Sequence, residues 1–150
     1  DRTSLEWNLA MKILFAEDGP DLMRLSGSLM GDLHLEVDAV TDGRSFIQHL
    51  SDAPNYYDLV VLGFDLPEIS GRECIMFVRR MFNRLPILVV TDSMQKEILE
   101  ELGELGVRKK HIFEKSSSAE EFGVWVRQAL SELPAQGSAT EGGNGELNSP

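Results

Sequence analysis

Short apolar segments recur along the chain at regular intervals, and this recurrence constrains the fold more than any other feature. Three of them read KILFA (12–16), DLVVL (58–62) and PILVV (86–90), and a shorter one, HIFE (111–114), follows. Segments of this length that are apolar on both faces are typical of parallel strands covered by helices on each side. LEVDAVT (35–41) instead alternates apolar and polar residues, which predicts an edge strand with one face partly in water.

Between these strands the apolar residues recur at a spacing of three and four, which predicts helices. The predicted helices cover residues 21–30, 46–50, 73–82, 94–105 and 119–133. Five strands that alternate with five helices predict an α/β fold with a doubly wound, five-stranded parallel sheet and helices on both faces, in a flavodoxin-like topology.

The composition divides the chain into three parts. Residues 11–133 are predicted to form one domain, which is a usual domain length. Residues 1–10 form a polar leader, and residues 134–150, AQGSATEGGNGELNSP after Pro134, have the composition of a flexible tail or linker.

The charge of the chain excludes several classes of ligand. The formal net charge is −11, so neither nucleic acid nor an anionic membrane surface is expected as a partner of this domain. No apolar run approaches the roughly 20 residues that span a bilayer, and the N-terminus lacks the features of a signal peptide. We therefore expect a soluble, cytoplasmic domain. The single cysteine, Cys74, is expected to be a buried structural thiol.

Chemically active residues follow the predicted strands at the point where each strand ends. The carboxyl ends of parallel strands meet at one edge of a sheet, where α/β domains bind their ligands. Carboxylates there suit Mg²⁺, and a hydroxyl and an ammonium group suit phosphate oxygens. The residues are Glu17 and Asp18 after the first strand, Gly63 and Asp65 after the third, Thr91 and Asp92 after the fourth, and Lys115 after the fifth.

These segments resemble the response-regulator receiver domain, the phosphoacceptor module of two-component signalling. The resemblance covers about residues 12–133 and rests on KILFAED, DLVVLGFDLPEISG, PILVVTD and HIFEK. Thr91 falls on the hydroxyl position of the family and Lys115 on its lysine position. The resemblance implies the receiver fold and a signalling role, and no enzyme activity is expected.

The chain departs from the family pattern at the position of the phosphoacceptor. The residue that ends the third strand in the family is the aspartate that accepts phosphate from a histidine kinase, and here it is Gly63. Phosphoryl transfer needs an oxygen nucleophile, which glycine lacks. Ser116 replaces the usual proline after the lysine, and Ile112 replaces the aromatic switch residue. We therefore predict a pseudo-receiver whose degenerate phosphorylation pocket contains Glu17, Asp18, Gly63, Asp65, Thr91 and Lys115.

Alternatives to this interpretation remain open at the level of sequence. Asp65 could act as an unorthodox phosphoacceptor, or the fold could serve a flavodoxin-like cofactor-binding domain. The second alternative is less favoured, because Glu17 and Asp18 would repel a cofactor phosphate. No cofactor is expected. A Mg²⁺ site formed by Glu17, Asp18 and Asp65 is the disfavoured hypothesis, since Mg²⁺ demands near-octahedral geometry.

The resemblance also implies where partners bind. The surface most used in the family comprises the fourth helix, fifth strand and fifth helix, here about residues 94–105, 109–114 and 119–133. We predict a protein partner or a homodimer there, with Lys109, Lys110 and Ile112 in the interaction surface. Residues 108–111, RKKH, are the only basic cluster in an acidic chain, although a solvated strand start explains such a run equally well.

Overall fold

The computed structural model describes residues 10–133, in which five strands alternate with five α-helices. The predicted leader, apart from Ala10, and the predicted tail lie outside the described residues. The elements are β1 (Met11–Ala16), α1 (Pro20–Ser26), β2 (Leu35–Val40), α2 (Gly43–Asp52), β3 (Leu59–Gly63), α3 (Gly71–Met81), β4 (Ile87–Thr91), α4 (Lys96–Glu104), a 3-10 turn (Lys109–His111), β5 (Ile112–Glu114) and α5 (Ala119–Ser131).

The five strands form one parallel sheet in the order β2-β1-β3-β4-β5. The predicted fold class is therefore confirmed, and β2 is an edge strand as its alternating sequence predicts. The strand order reverses at β1, so the crevice next to the carboxyl ends of β1 and β3 is the place where such sheets bind ligands.

Alternate residues of each central strand point to opposite faces of the sheet and build two separate cores. On one face Leu14 and Val60 pack in a cluster that includes residues of α2, α3 and α4. On the other face Ile13 and Val61 pack with residues of α1 and α5. All five residues of β3 and of β4 are buried, which explains why Thr91 is the only polar residue in these two strands.

The loops at the carboxyl edge are fixed by hydrogen bonds and by close backbone packing. Ser70 and Glu73 form a reciprocal capping box at the start of α3, and Ser118 and Glu121 form one at the start of α5. Gly71 packs against the loop after β3, where a Cβ atom would lie 2.5 Å from the carbonyl oxygen of Gly63. The glycine at this position therefore allows α3 to approach the end of β3.

One helix differs clearly from its prediction. The apolar spacing predicts a helix over residues 21–30, but α1 ends at Ser26. Gly27 follows, and the Ser28 hydroxyl donates a hydrogen bond to the Leu25 carbonyl oxygen at 2.8 Å, as serine often does where a helix gives way to a turn. Leu29 is nevertheless buried. The apolar spacing therefore predicted the buried positions correctly but overestimated the length of the helix.

Candidate functional site

The carboxyl ends of β1, β3, β4 and β5 lie side by side and gather the predicted site residues. Ala16 pairs with Leu62, and Thr91 pairs with Glu114. Glu17, Gly63, Thr91 and Lys115 consequently meet at one edge of the sheet although they are distant in sequence.

The Glu17 carboxylate is the buried centre of this site. Its side chain is 3% exposed. Oε2 accepts hydrogen bonds from the Lys115 ammonium at 3.0 Å and from the Asp18 main-chain N–H at 2.9 Å. Oε1 is also buried and has no hydrogen-bond partner among the described residues. Burial without a partner is costly for a carboxylate oxygen, so the position of this side chain needs a physical reason.

Gly63 supplies the space that the Glu17 carboxylate occupies. A Cβ atom added to Gly63 would lie 2.4 Å from Glu17 Oε1 and 3.0 Å from its carboxyl carbon. Such a distance is far inside van der Waals contact. Any side chain at residue 63 therefore competes with the Glu17 carboxylate for the same volume. The glycine that ends β3 and the glutamate that follows β1 form one packed unit.

The Lys115 ammonium is held among carboxylates. Besides Glu17, it lies 3.3 Å from Asp92 Oδ1 and 3.7 Å from Asp21 Oδ2. Its side chain is only 13% exposed. The Arg24 guanidinium donates to the main-chain oxygen of Lys115 at 2.6 Å, which fixes the loop without a proline after the lysine.

The ion pair affects the acidity of both partners. Burial raises the pKa of the Glu17 carboxyl above its ordinary value of 4.5, and the Lys115 ammonium and the Asp18 amide offset only part of that effect. Burial lowers the pKa of Lys115, but the contacts with Glu17 and Asp92 outweigh burial and raise it above 10.5. Lys115 thus stays charged, and burial opposes the ionised form of both partners.

The remaining predicted pocket residues do not point to one centre. Thr91 is buried, and its hydroxyl donates to the Ser93 carbonyl oxygen at 3.2 Å. Asp18 and Asp65 are exposed. Within residues 10–133, no three His, Cys, Asp or Glu side chains are gathered so that they could hold a metal ion. The Mg²⁺ site of Glu17, Asp18 and Asp65 therefore stays a prediction that this arrangement does not support.

The three residues of the predicted interaction surface lie in different environments. Lys109 and Lys110 are exposed. Ile112 is 6% exposed and belongs to the core beside α4, because it points from β5 toward the same face as Val89 of β4. Its assignment to the interaction surface is incorrect, and Ile112 is a core residue.

Sequence reasoning missed two residues of the site. Neither Asp21 nor Arg24 was predicted from the sequence to belong to the site, yet Asp21 contacts the Lys115 ammonium and Arg24 donates to the Lys115 main-chain oxygen. Both residues lie on α1, and their spacing of three places them on one face of the helix. The signal was present, since Asp21 follows β1 by one short turn.

Comparison with known proteins assigns the family. The profile described as response regulator receiver domain matches residues 13–122. The chain therefore belongs to the receiver-domain family of two-component response regulators, which is a family of signalling domains. This assignment confirms the family predicted from the strand-end motifs and disfavours the flavodoxin-like cofactor-binding alternative.

Individual relatives are similar over parts of their length. The chain is 28% identical to the peroxide stress-activated histidine kinase mak3 of Schizosaccharomyces pombe over 113 residues, which is 71% of this chain and 5% of the kinase. It is 35% identical over 82 residues to the response regulator RppA of Synechocystis, which is 54% of this chain and 35% of RppA. The chain thus spans about a third or less of these relatives.

Solved receiver domains have the same fold. The BeF3-activated receiver domain of DrrB, a Thermotoga maritima protein, aligns with this chain at a TM-score of 0.69 and 20% identity. The alignment covers 82% of this chain and 99% of that domain.

Within residues 10–133, no helix has both the length and the apolar character needed to cross a membrane.

Proposed function

We propose that this receiver domain acts through protein–protein contacts that do not depend on phosphorylation. The observation that carries the proposal is the packing of the Glu17 carboxylate against Gly63, at the position where the family pattern expects the phosphoacceptor aspartate. No carboxylate projects from residue 63, and both oxygens of the nearest carboxylate, Glu17, lie in a buried side chain.

Glu17 is a poor substitute for the acceptor. Transfer of a phosphoryl group needs a nucleophilic oxygen in line with the donor phosphorus and open to it. Glu17 Oε2 is bonded to Lys115, and Oε1 is shielded from solvent. The carboxylate and the ammonium group therefore neutralise each other inside the domain, and we expect the pocket to be inert as a phosphate acceptor.

The surface of α4, β5 and α5 supports a role in protein contacts. Lys109 and Lys110 are exposed there, and Val124 on α5 is 64% exposed although it is apolar. In protein interfaces apolar residues lie in the core of the contact, and polar and charged residues form its rim. We expect a partner protein or a second copy of the domain to bind this surface without a change of conformation caused by phosphorylation.

The test combines a phosphodonor with a phosphate mimic. The full chain is incubated with acetyl phosphate and MgCl2 and its intact mass is measured, while beryllium fluoride is added in a parallel NMR titration. We expect no phosphoryl mass increase and no chemical-shift change at Gly63 or Lys115. The DrrB receiver domain, whose solved structure is described as BeF3 activated, is the positive control.

Two outcomes would contradict the proposal. A phosphoryl mass increase that persists in Asp65→Asn would show that the pocket accepts phosphate through another residue. A mass increase that is lost in Asp65→Asn would establish Asp65 as the unorthodox acceptor, which is the alternative function. Asp65 is exposed, so this substitution leaves the core intact.

A further inference from the structure

A basic cleft lies at the edge of the sheet opposite to the Glu17 site. Its volume is about 430 Å³, and it lies where β3 and β4 begin, beside the ends of α4 and α5. Its polar lining contains Arg79, Arg108, Lys110, His111 and one acidic residue, Glu132. In a chain of net charge −11, a concave surface with this charge balance is unusual.

The positive charges of the cleft are only partly neutralised by the protein. Lys110 pairs with Glu132 at 3.3 Å, and both side chains are about half exposed. Arg79 donates to the main-chain oxygen of Gly106 at 3.0 Å. Within residues 10–133, neither Arg79 nor Arg108 forms an ion pair with a carboxylate. These two guanidinium groups therefore have no carboxylate partner in the described part of the chain, and their planar donor geometry suits carboxylates.

The cations of the cleft also affect the pKa of His111. Burial lowers the pKa of this imidazole below 6.5, and the positive charges of Lys110, Arg108 and Arg79 lower it further, against the single opposing effect of Glu132. The three cations consequently act on one point in the cleft. A concave wall with charges of one sign concentrates the field and attracts counter-ions.

The rest of the lining is apolar and limits what can bind. Leu59, Ile87, Leu88 and Ala129 contribute to the wall, and Leu59 and Leu88 are each 1% exposed. A volume of this size holds a small molecule or a few side chains rather than a folded domain. A fitting ligand therefore combines several negative charges with an apolar group.

We propose that this cleft binds an acidic peptide segment of a partner protein, with its carboxylates on Arg79, Arg108 and Lys110 and an apolar side chain against Ala129 and Pro86. The inference rests on the proposed function, because it assumes a protein partner. It is favoured over a small anion because the lining combines three cations with apolar residues, and a peptide can supply both carboxylates and an apolar side chain.

The test uses a synthetic peptide that is rich in glutamate and carries two leucines. It is titrated into the full chain at about 150 mM NaCl, where non-specific charge attraction is screened beyond about 8 Å. We expect NMR shifts at residues 108–112 and at the end of α5. The titration midpoint of His111 should move upward, since added carboxylates stabilise the imidazolium ion.

Two variants with the same charge change separate the cleft from general electrostatics. Arg108→Glu should weaken peptide binding about tenfold or more, because it places a negative charge against the ligand. Arg80→Glu is the matched control. Arg80 is exposed and does not line the cleft, so its variant should bind within about twofold of the wild type. Both residues are on the surface, so both variants should fold.

Several results would overturn the inference. Equal weakening by Arg108→Glu and Arg80→Glu would show non-specific attraction, and inorganic phosphate that displaces the peptide from the cleft at equal concentration would show a small-anion site. A dimer in sedimentation that Arg108→Glu dissolves would identify a second copy as the occupant. These results are independent of the phosphodonor test: loss of peptide binding leaves an unphosphorylated interaction domain, whereas a phosphoryl mass increase contradicts the proposed function whatever the peptide does.

Discussion

The Glu17 side chain lies in the space that Gly63 leaves free at the end of β3. The carboxylate fills the volume in front of the glycine, and the Lys115 ammonium balances its charge. The identity of Gly63 could be read from the sequence, and its consequence for phosphate transfer follows from chemistry alone. The direction of the Glu17 side chain could not be predicted from the sequence, because it depends on a contact between two residues that are 46 positions apart in the chain.

A double-mutant cycle tests this coupling. Gly63→Ala should lower the free energy of unfolding by about 1–3 kcal/mol, as overpacked core sites do, because the added Cβ atom meets Glu17 Oε1. In the background of Glu17→Ala the same substitution should cost close to nothing, since alanine suits a strand better than glycine does. Urea denaturation of the four proteins measures the interaction energy.

Gly103→Ala is the control for the glycine substitution itself. Gly103 lies in α4, and a Cβ atom added there has no atom within 4 Å. This variant should be more stable than the wild type by about 0.5–1 kcal/mol. An equal cost of Gly63→Ala with and without Glu17 would refute the coupling between the two residues.

The succession of elements was predictable because each strand and helix has its own periodicity. The five strands start and end within one residue of their predicted positions. The apolar residues of α5 also lie on its buried face, where Phe122 and Val126 are fully buried. The sequence pattern misjudged α1 and Ile112, since the end of a short helix and the face of a three-residue strand depend on tertiary contacts rather than on a repeating pattern.

The aromatic contacts of α5 give a prediction at this scale. The ring of Phe122 lies with its centroid 5.3 Å from those of Phe15 and Phe113 and 5.8 Å from that of Trp125. Phe122→Ala leaves a cavity between β1, β5 and α5, and we expect it to lower the free energy of unfolding by about 3–5 kcal/mol. Chemical denaturation followed by circular dichroism measures the loss.

Val124→Ala is the matched substitution on the same helix. Val124 is 64% exposed, so its replacement should change stability by no more than about 0.5 kcal/mol. Similar losses for the two variants would mean that α5 is held by its exposed side rather than by the aromatic cluster.

The charges of the molecule are separated between the two edges of the sheet. At the carboxyl edge Glu17, Asp21 and Asp92 contact one lysine, while the opposite edge carries Arg79, Arg108 and Lys110 with one glutamate, which pairs with Lys110. A net charge can be counted from the sequence, but this separation depends on the topology. It places the proposed inert pocket and the proposed peptide cleft at opposite ends of the domain, so that occupancy of the cleft does not require any change at the Glu17 site.

The net charge of −11 predicts how stability responds to salt. Repulsion among like charges destabilises a compact state, and raising the ionic strength from about 0.01 M to 0.15 M shortens the Debye length from about 30 Å to about 8 Å. The exposed ion pairs, such as Arg72 with Glu101 at 2.9 Å, are weakened by the same screening, but each contributes at most about 1 kcal/mol. Because repulsion acts over the whole surface, we expect NaCl to raise the Tm by about 2–5 °C.

The variant Glu104→Lys should show a smaller rise, because it makes the net charge of the chain less negative. Glu104 is exposed and forms no ion pair within residues 10–133. A Tm that falls with NaCl would show instead that local attraction between paired charges outweighs the long-range repulsion of the acidic surface.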